Sequence, residues 1–358
     1  MKKNNLFMDV HVIQTLPPSN INRDDTGSPK TAQYGGVRRA RVSSQSWKRA
    51  MRQYFLEHGD KANVGIRSLK IVDYVADKIQ ELDSTVERER AMKLAKEVIN
   101  AACEKPIIKS NLEAKALFFM GNAQALMLAK AALEGEKDKK VLGSILKEKP
   151  DIDIALFGRM VADDPSLNED ASAQVAHAIS THAVQTEFDF FTAVDDLAPE
   201  DNAGAGMLGT VEFNSSTLYR YANVAVHELE KQLSNDRDTV KNTLKLFVEA
   251  FANSLPTGKV NTFANQTLPQ ALMINLREDR PVSLVSAFEK PIRAKDGYVG
   301  ESIKKMSEEC SKVEKFVKKP LLTVTLTLED MENLYGDLQA NTLEEVLQIL
   351  DDKLSAVL

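Results

Sequence analysis

NRDDTGSPKTAQYGGVRRARVSSQSWKRAMRQYF, residues 22–55, decides how this 358-residue chain is read. A loop of Asp, Thr, Gly, Ser and Pro ends at Gly35-Gly36, and Val37–Val42 is short and extended. Ser43 then stands as the N-cap of a helix opening Ser44-Gln45-Ser46-Trp47. In that helix Trp47, Ala50, Met51, Tyr54 and Phe55 recur at i, i+3, i+4, i+7 and i+8, an apolar stripe. Lys48, Arg49 and Arg52 lie off it. Between Arg23 and Arg52 the basic residues Arg23, Lys30, Arg38, Arg39, Arg41, Lys48, Arg49 and Arg52 oppose only Asp24 and Asp25. The stretch carries +6 in a chain of net charge −6, so the remainder carries −12. One basic face on an acidic protein suits a polyanion held at a defined groove, not a surface that coats nucleic acid.

Working outward, Leu6–Ile13 alternates Leu6, Met8, Val10 and Val12 against Phe7, Asp9, His11 and Ile13, the period of a strand. Pro17-Pro18-Ser19-Asn20 is expected to break it. The loop of roughly twenty residues that follows is long enough to suggest a functional reason. Downstream, Ser68 to about Lys149 reads as amphipathic helices, and Asp151–Phe157 as a strand. Ala171–Val184 fits either. Thr186–Val211 is a hairpin-like excursion with an apolar base (Phe188, Phe190, Phe191, Met207, Leu208) and a tip made flexible by Gly204, Gly206 and Gly209. Val211–Val226 reads extended, Asp236–Ser254 helical, Ala271–Leu276 and Pro320–Leu326 extended, and Thr342–Leu354 helical. The fold class is α+β.

Composition narrows the function. At 43% hydrophobic and 27% charged the chain is globular. It has no apolar run of membrane-spanning length, and its N-terminus lacks a signal core, so a cytoplasmic protein without membrane partners is expected. Cys103 and Cys310 stand far apart without a CxxC, which fits neither a disulfide framework nor zinc. His177 and His182 are five apart, the wrong spacing for a zinc helix. With Asp189, Asp195 and Asp196 they are the only footing for a metal-dependent nuclease, the alternative reading. No cofactor is expected.

The basic stretch offers phosphate three kinds of donor. These are cationic side chains (Arg23, Lys30, Arg38, Arg39, Arg41), neutral groups (Asn20, Asn22, Ser43, Ser44, Gln45), and the free N–H groups of a helix start. Lys48 and Arg52, one turn apart, are placed to track successive phosphates. Lys259, beside Asn261, Asn265 and Gln266, and Lys295, beside Lys290 and Arg293, add further basic loops. Trp47 reads as core, and Tyr219 and Tyr221 as packing residues.

Six motifs in order, NRDDTGSPKTAQYGGVRRARVSSQSWKRAMRQYF, DIALFGRM, VAHAISTH, FDFFTAVDDL, YRYANV and FEKPIRAKDGY, resemble the repeated backbone (CasC-type) subunit of the type I-E CRISPR Cascade complex. The resemblance covers the chain to about Tyr298 and is weakest over 60–150 and the C-terminal tail. It implies a hand. An RRM-like (ferredoxin-like) palm comprises 1–59, 150–185 and 213–358, helical fingers 60–149, and a thumb hairpin 186–212. It also implies a non-catalytic subunit that polymerises head to tail along CRISPR guide RNA with other Cascade subunits, presenting kinked guide segments to target DNA in antiviral defence.

By the same resemblance Arg23, Lys30, Ser43, Gln45, Lys48, Arg49 and Arg52 meet guide phosphates, and Met160 and Leu208 bracket a displaced nucleotide. Asn22, Arg38, Arg39, Arg41, His177, Lys259 and Lys295 complete the set expected at the RNA. Phe190 stands where the family has tryptophan, and Val37 where it has a basic residue. Related type III subunits cleave RNA through an aspartate, which singles out Asp24, Asp25 and the thumb aspartates for test.

Overall fold

In this computed structural model residues 5–60, 63–193, 196–197, 208–329, 331 and 334–358 are described. The first third of the chain forms β1 (Phe7–Ser19), β2 (Thr31–Tyr34), β3 (Val37–Val42), α1 (Ser44–His58), β4 (Ile66–Ser68), α2 (Ile71–Leu82) and α3 (Arg88–Ala102). Then come β5 (Phe118–Met120), α4 (Asn122–Glu134), α5 (Lys139–Lys147), α6 (Ile152–Phe157), β6 (Ala173–Val175), β7 (Ala178–Ser180), β8 (Glu187–Thr192) and β9 (Leu208–Ala225). The last part holds α7 (Val226–Gln232), α8 (Arg237–Asn253), α9 (Val260–Phe263), β10 (Pro269–Arg277), α10 (Val299–Val313), β11 (Leu322–Thr327), β12 (Leu338–Gln339) and α11 (Leu343–Val357).

The chain divides into two compact units: Met1–Met51 with Val175–Asn223 and Phe247–Val357, and Arg52–Gln174 with Val224–Leu246 and Leu358. The first is built on a mixed sheet in the order β12-β11-β10-β1-β9-β7-β3-β2. The β11–β12 pair is parallel, whereas β1–β10, β10–β11, β7–β9, β3–β7 and β2–β3 are antiparallel.

Strand β1 shows why alternation alone misleads here. Met8 through Gln14 are all buried, so both faces of the strand are covered. Its polar side chains have partners inside. Tyr221 Oη donates to Asp9 Oδ1 at 2.8 Å, Arg277 pairs with Asp9 Oδ2 at 3.3 Å, and His11 Nδ1 lies 2.9 Å from Tyr219 Oη. Around them Ile13, Met273, Leu284, Phe288, Ile303 and Met306 form one apolar cluster. The strand also runs on through Pro17 and Pro18, where a break was expected. Proline's fixed φ suits extended backbone, and beyond the register shift at Ile13/Gln14 the missing N–H costs no pairing with β10.

The second unit carries α2 to α5 around Ile71, Val75, Ile79, Ala91, Ile99, Leu128 and Leu142. Residues Asp151–Phe157, expected as a strand, contain helix α6 instead. Short apolar runs do not separate the two structures by period. The acids that suggested an exposed strand face are themselves buried: Asp151 Oδ2 accepts the Asn122 N–H, and Asp153 Oδ1 accepts the Gly65 N–H. No helix among the described residues is long and apolar enough to cross a membrane.

Candidate nucleic-acid interface

The loop before β2 is stitched to the start of α1. Asn22 Oδ1 accepts the Ser43 N–H at 2.8 Å, and Asn22 Nδ2 donates to Ser46 Oγ at 2.9 Å. Ser43 caps as expected, its Oγ accepting the Ser46 N–H at 3.3 Å. His177, just before β7, accepts the Ser44 N–H on Nδ1 at 2.9 Å. The helix start is therefore largely capped from within the chain, which corrects the expectation of free N–H groups for phosphate. What remains is a collar of cations. Lys30 and Arg41 line the same cleft, and loss of solvation, then Arg41 and then Lys30, hold the His177 imidazole below its ordinary range. Backbone bonds fix them there, Lys30 N–H to Asn22 O and Arg41 N–H to Lys30 O, each 2.9 Å. Arg23, Arg38, Gln45 and Arg49 are exposed, and Lys48 is half-buried, which lowers its affinity for a proton.

Two of the expected phosphate ligands are engaged by groups of the chain itself. Arg39 is fully buried, and its guanidinium donates to the carbonyls of Tyr34, Ser180 and Phe288 at 3.1, 2.9 and 2.7 Å. It clamps the β2–β3 hairpin, whose turn residue Gly35 has φ +60° and packs so close to Glu289 O that a Cβ would overlap it. Arg52 reaches Asp153 Oδ2 at 3.0 Å and Gly65 O at 3.2 Å, with its guanidinium over the Phe119 ring. Because Asp153 is buried, Arg52 serves as its counterion.

Of the remaining expected residues, Lys259 comes next to the loop, since Gly258 before it packs on the carbonyls of Asn20 and Ile21. Lys295 is exposed, and Lys259 is half-buried with φ 52°, in the left-handed region. In the second unit Met160 is 82% exposed, directly after Arg159, which is buried and donates to Leu167 O and Gln124 Oε1. Strands β8 and β9 pair from Glu187↔Phe213 to Thr192↔Leu208, forming a two-stranded ribbon. Cross-strand neighbours share a face, so Phe188, Phe190 and Leu208 stand on one side, each about two-thirds exposed. Met207, Gly204 and Gly206 lie outside the described residues. Gly209 is paired in β9, and its bare Cα lets the Phe191 ring close over it. Its role is packing and not, as expected, bending.

Among the described residues the histidines and aspartates do not assemble a metal centre. His182 is buried, its Nδ1 toward Ala183 O and its Nε2 accepting the Thr217 N–H, with its ring stacked on Tyr298. Among the described residues no three His, Cys, Asp or Glu side chains converge; Asp195 lies outside them. Sequence reading passed over Asn214, which is buried in β9. The signal was there in Phe213-Asn214-Ser215-Ser216-Thr217, a run too polar for a buried strand without a reason.

The described fold is α+β, and Lys30 and Arg41 share a cleft beside the start of α1. The chain belongs to the CT1975-like protein family, whose model matches residues 8–351. It is similar to a chain of a solved structure described as a CRISPR RNA-guided surveillance complex, pre-nicking. Identity there is 32%, with 98% of this chain and 100% of that one covered and a TM-score of 0.85. A second chain, described as a CRISPR RNA-guided surveillance complex, is 29% identical over 98% of this chain and 100% of its own, with a TM-score of 0.66. No curated protein matches. The resemblance to the CasC-type backbone subunit, read from six motifs, holds.

Proposed function

We propose that this protein is the RNA-binding backbone subunit of a cytoplasmic CRISPR surveillance complex of type I-E. It binds CRISPR guide RNA, repeats head to tail along it beside other Cascade subunits, and presents the guide for pairing with target DNA in antiviral defence. It does so without catalysis of its own. The sheet unit acts as an RRM-like palm, the helices around 60–149 as fingers and the ribbon within 186–212 as thumb. The observation that carries this reading is that Lys30 and Arg41 line one cleft beside the start of α1, where His177 Nδ1 accepts the Ser44 N–H. It occurs in a chain alike over 98% of its length to one from such a complex. A guide changes sequence with every target, so its holder must grip phosphate and sugar and leave the base edges alone. The collar, made of long cations and short neutral groups, does that. Hydrogen bonds take Nδ1 of His177 and both ring nitrogens of His182, which gives the nuclease alternative no support.

The test is a salt titration of binding to two RNAs of unrelated sequence. Arg23→Ala and Arg49→Ala should weaken both RNAs alike. Each lost phosphate contact should flatten log K against log salt by about 0.7. An unchanged slope, or a loss confined to one sequence, would refute the reading.

A further inference from the structure

Between the loop and the root of the ribbon lies a cleft of about 20 Å³, lined by Asn20, Asn22, Lys30, Arg41, Asn214 and Ser216. Its volume admits one water-sized group. Asn20 is 1% exposed and Asn214 7%. Each presents a polar atom without a hydrogen-bond partner among the described residues, Oδ1 of Asn20 and Nδ2 of Asn214. Buried side-chain atoms in that condition are uncommon and call for an explanation. The Asn20 amide is not free to turn over. Its Nδ2 already donates to Gly27 O at 3.0 Å and Glu212 O at 2.8 Å, which leaves Oδ1 as the acceptor.

We propose that this cleft is a ribose-reading subsite, in which a 2′-hydroxyl of the bound strand donates to Asn20 Oδ1 and accepts from Asn214 Nδ2. The inference rests on the RNA-binding reading and goes beyond it by naming the groups that tell RNA from DNA. A phosphate does not fit the pair, because its oxygens only accept and would face the Asn20 carbonyl oxygen. A base edge changes with sequence, whereas the 2′-hydroxyl is both donor and acceptor and is present in every ribonucleotide. Lys30 and Arg41 on the same cleft then meet the adjoining phosphates. The loop thus reads sugar where the collar reads charge.

The experiment compares one single-stranded sequence as RNA, as DNA and as 2′-O-methyl RNA, bound by the full chain. The wild type should bind RNA about tenfold tighter than either other strand, since the methyl removes the donor and overfills the cleft. Asn214→Ala should weaken RNA and leave DNA nearly unchanged, closing most of that gap. Arg49→Ala should weaken all three and preserve the ratio. Equal wild-type affinity for RNA and 2′-O-methyl RNA overturns the subsite while RNA binding stands, and this arm does not depend on any variant folding. An Asn214→Ala protein that melts like the wild type and keeps the full ratio overturns it too. Failure of the wild type to bind any strand overturns the RNA reading and the subsite together.

Discussion

At the scale of single residues, arginine is the side chain whose purpose this sequence conceals. A guanidinium offers five donors, as useful to backbone carbonyls in a core as to phosphate in solvent. Arg39 and Arg52 sit in the same basic run as Arg23 and Arg49, yet they hold the interior together. Arg220, in YRYANV, is buried over the Trp47 ring with its centre 3.6 Å away, and loss of solvation pushes its pKa down to about 9. The expected face of Trp47 is confirmed by the same stacking. Density of positive charge was legible in the sequence, but its direction was not, since Arg38-Arg39 on a short strand has no period to orient it. The distinction is measurable. Arg52→Ala leaves buried Asp153 without its counterion and should lower stability by about 3–5 kcal/mol. Arg49→Ala, on an exposed residue, should leave the melting temperature within a degree or two and reduce RNA affinity. Thermal melting beside binding separates them; equal melting of the two variants would mean that Arg52 is not structural.

At the scale of elements, sequence period worked where a segment has one covered and one solvated side, and failed where it has neither. The stripe of α1 and the helices α2, α3 and α5 show clear amphipathic spacing. Strand β1 is covered on both faces, and α6 is nearly covered all round, so burial there removed the pattern that a reader relies on. The ribbon fails in the opposite sense, because all of β8 is exposed. Its order comes from cross-strand fit, above all from Phe191 closing over Gly209. A Cβ at Gly209 would lie 2.3 Å from that ring. Gly209→Val should therefore splay the ribbon while the global melt, carried by the buried sheet, hardly moves. Limited proteolysis should show new cutting between 187 and 213, and Gly209→Val with Phe191→Ala should restore part of the resistance. Wild-type resistance in Gly209→Val would remove the packing account.

At the scale of the whole molecule, the proposed RNA site accounts for the cations left at the surface, while the exposed apolar side of the ribbon calls for a partner of a different kind. Phe188, Phe190 and Leu208 together on one side of a two-stranded ribbon are more than scattered surface hydrophobes. A contact that joins such a ribbon to a different surface of a second copy is heterologous, and a heterologous contact that does not close generates a linear array. In the array proposed above, RNA would set the length and the ribbon the cooperativity. These two terms respond differently to salt: phosphate contacts weaken steeply, and apolar burial does not. Phe190→Ser with Leu208→Ser should leave binding of one subunit to a short RNA unchanged, including its salt slope. On an RNA several sites long the same variant should load in a scattered, uncooperative way, whereas the wild type fills each strand before starting the next. Native mass spectrometry of complexes formed at less than full saturation counts subunits per strand and reads the difference directly. A variant that still gave only empty and full strands would show that copies are joined through some other surface.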